Sequence, residues 1–259
     1  MSINESHNEL ACSHNALQER RERVFLILAG FFLCAMTLLN VIGITRFVQL
    51  GPMQLAVGVL AYPLTFLCTD LISELYGKAR ANFMVTVGLI LNLFILLIMF
   101  IANVLPSVDS IFQPPWQTIE LANSISLPNG NIVEGSVELF SLVYACTAGA
   151  VFASMIAYIA AQYIDVHVFH WIKNKTNGKH LWLRNTASTS ISQAIDAFAV
   201  IAITFGATYL AGEMTLQALL VIFVSNYLFK LFAAIVDTPV IYFLVAKLRP
   251  YLGLESIKN

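Results

Sequence analysis

Six apolar stretches, at about 24–45, 54–76, 81–105, 137–164, 188–211 and 215–246, constrain this chain more than any motif in it. About 20 consecutive apolar residues in a helix cross a hydrocarbon core. Lipid offers no hydrogen bonds to a backbone, so stretches of this kind satisfy their own as helices. Composition agrees: of 259 residues, 58% are hydrophobic and 11% charged, whereas a soluble domain carries roughly 25% charged residues. The expected fold is an all-α integral membrane protein with six transmembrane helices. A polar tail over 1–23 precedes a six-helix transmembrane domain over 24–247, and a short tail over 248–259 follows it. The N-terminal tail lacks the basic-then-apolar order of a cleaved signal peptide, so the first apolar run reads as a retained helix. That tail is expected to be disordered at its start and amphipathic near the membrane. The long connection at about 106–136 contains Pro-Pro, Pro-Asn-Gly and Trp116, and reads as turns and interfacial structure.

The basic residues orient the bundle. Arg20, Arg21 and Arg23 precede the first span, and Lys78 and Arg80 separate the second from the third. Lys173, Lys175, Lys179 and Arg184 lie between the fourth and fifth, and Lys247, Arg249 and Lys258 follow the sixth. The opposite connections carry only Arg46. Cytoplasmic loops are enriched in Lys and Arg. Both termini are therefore expected in the cytoplasm, and an even number of spans agrees by placing them on one side.

Ionisable residues within spans are costly, by roughly 3 kcal/mol each on insertion scales, and normally face a bundle interior or a wet cavity. Seven polar candidates stand out: Asp70 and Glu74 in the second span, Gln193 and Asp196 in the fifth, and Asn226, Lys230 and Asp237 in the sixth. Asn40 and Asn92 are weaker additions, since buried asparagines more often join helices. Asp70 and Glu74 are four residues apart and share a helix face. Counting back from Gly77, Glu74 lies ~5 Å from the helix end and Asp70 ~10 Å. Glu74 can snorkel to the interface, and Asp70 less easily. Gln193 and Asp196 also share a face, as do Asn226 and Lys230, with Asp237 two turns further along. The fifth and sixth spans are joined near Glu213, so they are antiparallel neighbours. Asp196 precedes Glu213 by 17 residues and Lys230 follows it by 17, which places them at one depth and predicts an ion pair. Such a pair is weak evidence of stability and better evidence of a functional cavity. It can also serve only to hold two helices in register.

Enzyme signals are poor. The chain has no HExxH, GxSxG or Walker motif. Ser188, Ser190 and Ser192 have no histidine within a predicted span to act as base, because His167, His170 and His180 fall after the fourth span. The run 165–170 (DVHVFH) reads as a helix end with interfacial histidines rather than a metal cluster. The four cysteines have no metal-ligand spacing, and neither disulfide nor cofactor is expected. Basic residues are too few for nucleic-acid binding. What remains is a transporter for a small polar solute. Acids and amides suit a planar ring with N–H donors, and aromatic rings can stack on it.

Four stretches carry a family resemblance: YPLTFLCTDLISELYGKARA (62–81), DVHVFHWIK (165–173), NTASTSISQAIDAF (185–198) and SNYLFKLFAAIVDTPVIY (225–242). Together they resemble the queuosine precursor transporters, YhhQ-type proteins once grouped as vitamin uptake transporters. The resemblance spans about 45 to 247. It implies import of 7-cyano-7-deazaguanine and 7-aminomethyl-7-deazaguanine across the bacterial inner membrane. It also implies an arrangement related to the substrate-binding subunits of energy-coupling-factor transporters. On this reading Asp196 or Asp237 grips the guanine-like edge, and Gln193 and Asn226 read neighbouring polar atoms. Lys230 balances charge, while Asp70 and Glu74 complete the site or carry a coupling proton. Tyr227 and Phe198 are candidate stacking platforms, with a lipid-facing role as the alternative in so aromatic a chain. Another nucleobase or vitamin as substrate, and a binding subunit energised by a separate complex, are the competing readings. The expected partners are the 7-deazaguanine solute and the lipid bilayer, with a homodimer and ion or proton coupling compatible with the size and charge pattern.

Overall fold

Each apolar stretch of the sequence is carried by one helix in the computed structural model, which describes residues 3–127, 130–176 and 181–254. The helices are α1 (Ile3–Val41), α2 (Tyr62–Tyr76), α3 (Lys78–Val104), α4 (Leu139–Lys175), α5 (Leu181–Leu210) and α6 (Leu216–Tyr251). Among the described residues, six helical segments are long and apolar enough to cross a membrane, the second of them running over Val57–Tyr76. Pro63 sits in the first turn of α2, where a missing N–H costs nothing. Gly77, with φ of 89°, ends α2 and donates its N–H to Ser73 O at 3.0 Å. Lys78 then opens α3 directly.

Three boundaries differ from the hydropathy reading. α1 begins at Ile3, so the polar segment expected to start disordered is helical. It is rich in Glu, Gln, Arg, Leu and Ala, all good helix formers. The second apolar run is not helical from 54. β1 (Phe47–Leu50) and β2 (Met53–Ala56) form an antiparallel hairpin, with Phe47 opposite Ala56 and Leu50 opposite Met53, and a 3-10 turn over Val57–Ala61 leads into α2. A short apolar run suits strand and helix equally by hydropathy, which is why the hairpin was hidden. α4 continues to Lys175, beyond the expected end of the fourth span at about 164, and His167 and His170 lie in its last turns, in keeping with the helix-end reading of 165–170. His180, Lys179, Lys258 and the Pro-Asn of the Pro-Asn-Gly turn lie outside the described residues. The long connection forms two nested antiparallel pairs. β3 (Thr118–Glu120) pairs with β6 (Ser136–Glu138), and β4 (Ile125–Ser126) with β5 (Ile132–Val133).

The chain divides into two compact units. The first comprises α1 up to Met36, residues Ala61–Gly88, and α6 from Ala233 onward. Its core is Phe32, Cys68, Ile72, Ala81 and Met84, flanked by Phe25, Leu28 and Tyr76. One end is tied by Arg21, which donates Nε–H to Leu252 O at 2.9 Å and an Nη2 hydrogen to Gly253 O at 3.2 Å. Tyr76 Oη donates in turn to Arg21 O at 2.8 Å. The two Arg21 bonds use carbonyls that the end of α6 leaves without helical partners.

The second unit comprises Thr37–Leu60 and Leu89–Phe232. α4 packs along α5, and the residues it buries include Ala145, Ala150, Ala153 and Ala157. Small side chains let membrane helices approach closely. A buried polar chain crosses this unit: Asn40 donates to Asn92 Oδ1 at 3.0 Å, and Ser154 donates to Asn40 Oδ1 at 3.1 Å. The β1–β2 hairpin is fastened by Gln54 N–H donating to Ser225 Oγ at 3.1 Å. The 3-10 turn is fastened by Gly58 N–H donating to Gly43 O at 3.1 Å.

Candidate functional site

α5 and the first half of α6 form a helical hairpin in the second unit, and the polar residues foreseen on them come together. Lys230 donates from Nζ to Asp196 Oδ2 at 2.5 Å. This is the pair expected from counting residues about Glu213. With 8% of the Lys230 side chain and 22% of the Asp196 side chain exposed, both are largely removed from bulk solvent. Gln193, one turn before Asp196, is buried, and its Oε1 accepts no hydrogen bond. Asn226 is buried one turn before Lys230 and donates from Nδ2 to Ile222 O at 2.7 Å within its own helix.

Two features of this hairpin were not foreseen. Thr204 is buried on α5 and its Oγ1 has no hydrogen-bond partner. Gln193, Ala197, Ile201 and Thr204 are all buried and recur at helical spacing, so Thr204 shares the face of Gln193. A lone hydroxyl in a membrane helix carries no periodic signal, and nothing in the sequence distinguishes Thr204 from its neighbours. The second feature is an aromatic row. Phe223 stacks parallel to Tyr227 with ring centres 6.2 Å apart and meets Phe198 edge-on at 6.3 Å. Tyr227 Oη donates to Ser190 O at 3.4 Å. Phe198 and Tyr227 thus share Phe223 as a neighbour. This unit can offer a carboxylate, an ammonium, an unengaged amide oxygen and flat rings, which together suit a neutral polar ring bearing N–H donors and a carbonyl.

The other three predicted residues belong to the first unit. Glu74 is half-exposed and accepts from Arg249 Nη2 at 2.5 Å. The sequence gives Arg249 only an orienting role, and nothing in it links positions 175 residues apart. Asp237 is buried, and its Oδ2 has no hydrogen-bond partner. Asp70 is more exposed, and Asp237 lies near enough for the two carboxylates to interact electrostatically. Pro239 follows Asp237 within α6 and removes the hydrogen bond that a helix would form to the carbonyl four residues earlier. No group of three or more metal-ligating side chains is found among the described residues.

Comparison with known proteins bears on what these residues serve. Residues 56–244 match a family model described as "Putative vitamin uptake transporter". A relative from Bacillus subtilis (strain 168), named "Probable queuosine precursor transporter", is 27% identical over 200 residues, covering 77% of this chain and 75% of the relative. No solved structure gives a significant match. The stretch matched by the family model contains all seven singled-out residues, together with Thr204 and Phe223. With six helices able to span, the chain is a multi-pass protein of the bacterial inner membrane. The match covers well over half of the sequence, and the chain belongs to the vitamin uptake transporter family.

Proposed function

We propose that this transporter imports queuosine precursors, 7-cyano-7-deazaguanine and 7-aminomethyl-7-deazaguanine, for the synthesis and salvage of queuosine in transfer RNA. Both termini face the cytoplasm, as the distribution of Lys and Arg supports. The similarity to the Bacillus relative supports the substrate class. The observation that carries the assignment of the site is the unengaged Gln193 Oε1 beside the Asp196–Lys230 pair. A buried acceptor without a donor costs about 1–3 kcal/mol, and a substrate N–H would relieve that cost.

In this reading Asp196 accepts from N1–H and the 2-amino group of the 7-deazaguanine. Each carboxylate oxygen has two lone pairs, so Lys230 can remain bound. Gln193 Oε1 accepts a neighbouring N–H, Lys230 donates to O6, and Asn226 reads an adjacent polar atom. Phe198, Phe223 and Tyr227 supply ring surface for stacking. Asp70 and Asp237, with no basic partner among the described residues, carry the coupling proton. Glu74 is held by Arg249 and supports that end of α2.

The test uses a bacterium that lacks both queuosine precursor synthesis and its own importer. The full chain is expressed, nanomolar 7-cyano-7-deazaguanine is supplied, and transfer RNA is assayed for queuosine. Wild type restores queuosine, whereas Asp196→Asn and Lys230→Met at equal membrane levels do not. Failure of wild type despite normal membrane expression removes the proposed substrate. Success of all three keeps the substrate and removes the site.

A further inference from the structure

The first unit contains a cavity of about 310 Å³ that the transport reading does not use. Its polar wall is Gln18, Arg21 and Glu22 from α1, Tyr76 from α2 and Arg80 from α3, and Leu75 and Leu254 complete it. Every one of these residues sits at a junction between apolar and polar sequence. Gln18, Arg21 and Glu22 precede the apolar run of α1, Leu75 and Tyr76 end α2, Arg80 lies in the first turn of α3, and Leu254 follows α6. Headgroups of a bilayer lie at this level, just outside the hydrocarbon.

Both guanidinium groups are held in place by their surroundings. Arg21 has Nε and Nη2 committed to Leu252 O and Gly253 O, which fixes its plane. Arg80 lies over the rings of Phe25 and Tyr76, with its central carbon 5.3 Å and 5.6 Å from the two centres. Its bond from Nη2 to Glu22 is 3.2 Å long, beyond the roughly 2.7–2.9 Å of a tight charge-assisted contact. Each guanidinium has five N–H donors, so both keep donors beyond those bonds. Two arginines against one glutamate leave the cavity wall net positive. Arginine is the side chain best matched to the fork geometry of phosphate oxygens. At the low end of ligand-pocket volumes, the cavity suits a headgroup better than a large solute. Leu26 on α1 and Phe83 on α3 are exposed apolar side chains of the same unit, so an acyl chain has apolar surface to follow.

We infer that the Arg21–Arg80 cavity binds an anionic phosphate group, supplied by an anionic phospholipid headgroup or by free phosphate. The cation–π contacts and the carbonyl bonds preorganise the donors, and Glu22 moves aside from its long bond to Arg80 as the phosphate enters.

The experiment is native mass spectrometry of the full-length protein released from detergent micelles. Phosphatidylglycerol and a diacylglycerol of the same chains are titrated separately, and inorganic phosphate is added in a third series. Wild type is compared with Arg80→Gln, Arg21→Gln and Lys247→Gln. The last removes an exposed positive charge of the same unit outside the cavity. Phosphatidylglycerol is expected to stay bound, diacylglycerol to be lost, and Arg80→Gln to weaken retention about tenfold while Lys247→Gln leaves it unchanged. Competition by inorganic phosphate, or a phosphate-dependent rise in melting temperature abolished by Arg80→Gln, assigns the site to free phosphate. Arg21→Gln also loosens the end of α6, so Arg80→Gln decides if that variant unfolds. Equal retention by wild type and Arg80→Gln with no effect of phosphate, or equal retention of diacylglycerol, overturns the inference.

Discussion

Lys230 and Asp196 meet at 2.5 Å across the α5–α6 hairpin, and little of either side chain reaches solvent. Removing one partner of a buried pair strands the other charge and costs on the order of 3–5 kcal/mol, whereas replacing both is often neutral. Asp196→Asn and Lys230→Met should therefore each lower the melting temperature of the purified protein. The double variant should recover most of that loss. If the pair exists for register alone, the double variant also recovers uptake. If it holds substrate, stability returns and uptake does not. Thermal melting and precursor uptake on the same four proteins separate the two.

Glu74 and Arg249 make a pair of the same length with a different expectation. Glu74 is 46% exposed against 16% for Arg249, so water reaches the carboxylate side of the pair and competes for it. Pairs of that kind contribute about 0–1 kcal/mol. Glu74→Gln should change stability by less than ~1 kcal/mol and leave uptake within about twofold of wild type. A large loss of uptake at unchanged melting temperature would move Glu74 from support into the transport path.

How far the sequence carries an observer differs between these two pairs, and the reason is distance along the chain. Asp196 and Lys230 flank one tight turn, so counting residues from Glu213 suffices to place them together. Glu74 and Arg249 meet only because separate helices pack, and no local rule reaches that far. The spans were legible because lipid imposes a length and a polarity. The β1–β2 hairpin was not, since its apolar residues meet the same demand as strand or helix. Burial of Gln193 and Asp237 could be anticipated from their place within spans. That each retains an oxygen without a partner is a property of packing, visible only in three dimensions.

The approach of the 3-10 turn to the end of α1 gives a steric prediction. A Cβ on Gly58 would lie 2.6 Å from Gly43 Cα and 2.6 Å from Leu39 O, both backbone atoms. Backbone cannot step aside without breaking the Gly58–Gly43 hydrogen bond. A Cβ on Gly88 meets Met36 Sδ at 2.6 Å, but methionine is flexible and can repack. Gly58→Ala should cost on the order of 2 kcal/mol or more, within the range for overpacking, and Gly88→Ala clearly less. Comparable losses from the two, measured by denaturant unfolding in detergent, would contradict this close approach.

Asn40 sits at the centre of the buried chain, donating to Asn92 and accepting from Ser154. Side-chain hydrogen bonds between membrane helices average about 0.6 kcal/mol and reach about 1.7. Asn40→Ala loses both bonds and Ser154→Ala loses one. The former should destabilise by about 1–2 kcal/mol and the latter by about half as much, with uptake by the folded fraction unchanged. Loss of uptake from well-folded Asn40→Ala would show that these asparagines do more than join helices.

Gln193 and Thr204 give the sharpest separation of site from scaffold. Each has a buried oxygen without a hydrogen-bond partner, and the two share one face of α5. An unsatisfied polar group of this kind weakens the folded state, so an apolar replacement of similar shape should be neutral or stabilising. Residues kept at a cost to stability are commonly kept for function. Gln193→Leu and Thr204→Val should therefore raise the melting temperature or leave it unchanged, with a gain of up to ~1 kcal/mol each. Gln193→Leu should at the same time reduce precursor uptake at least tenfold, because the substrate loses an acceptor positioned for its N–H groups. Thr204→Val reads how far along α5 the polar solute makes contact: reduced uptake extends the site to Thr204, and wild-type uptake confines it to the turns around Gln193 and Asp196. A Gln193→Leu protein that is both destabilised and fully active would reverse the argument, since the amide would then be holding the fold rather than the solute.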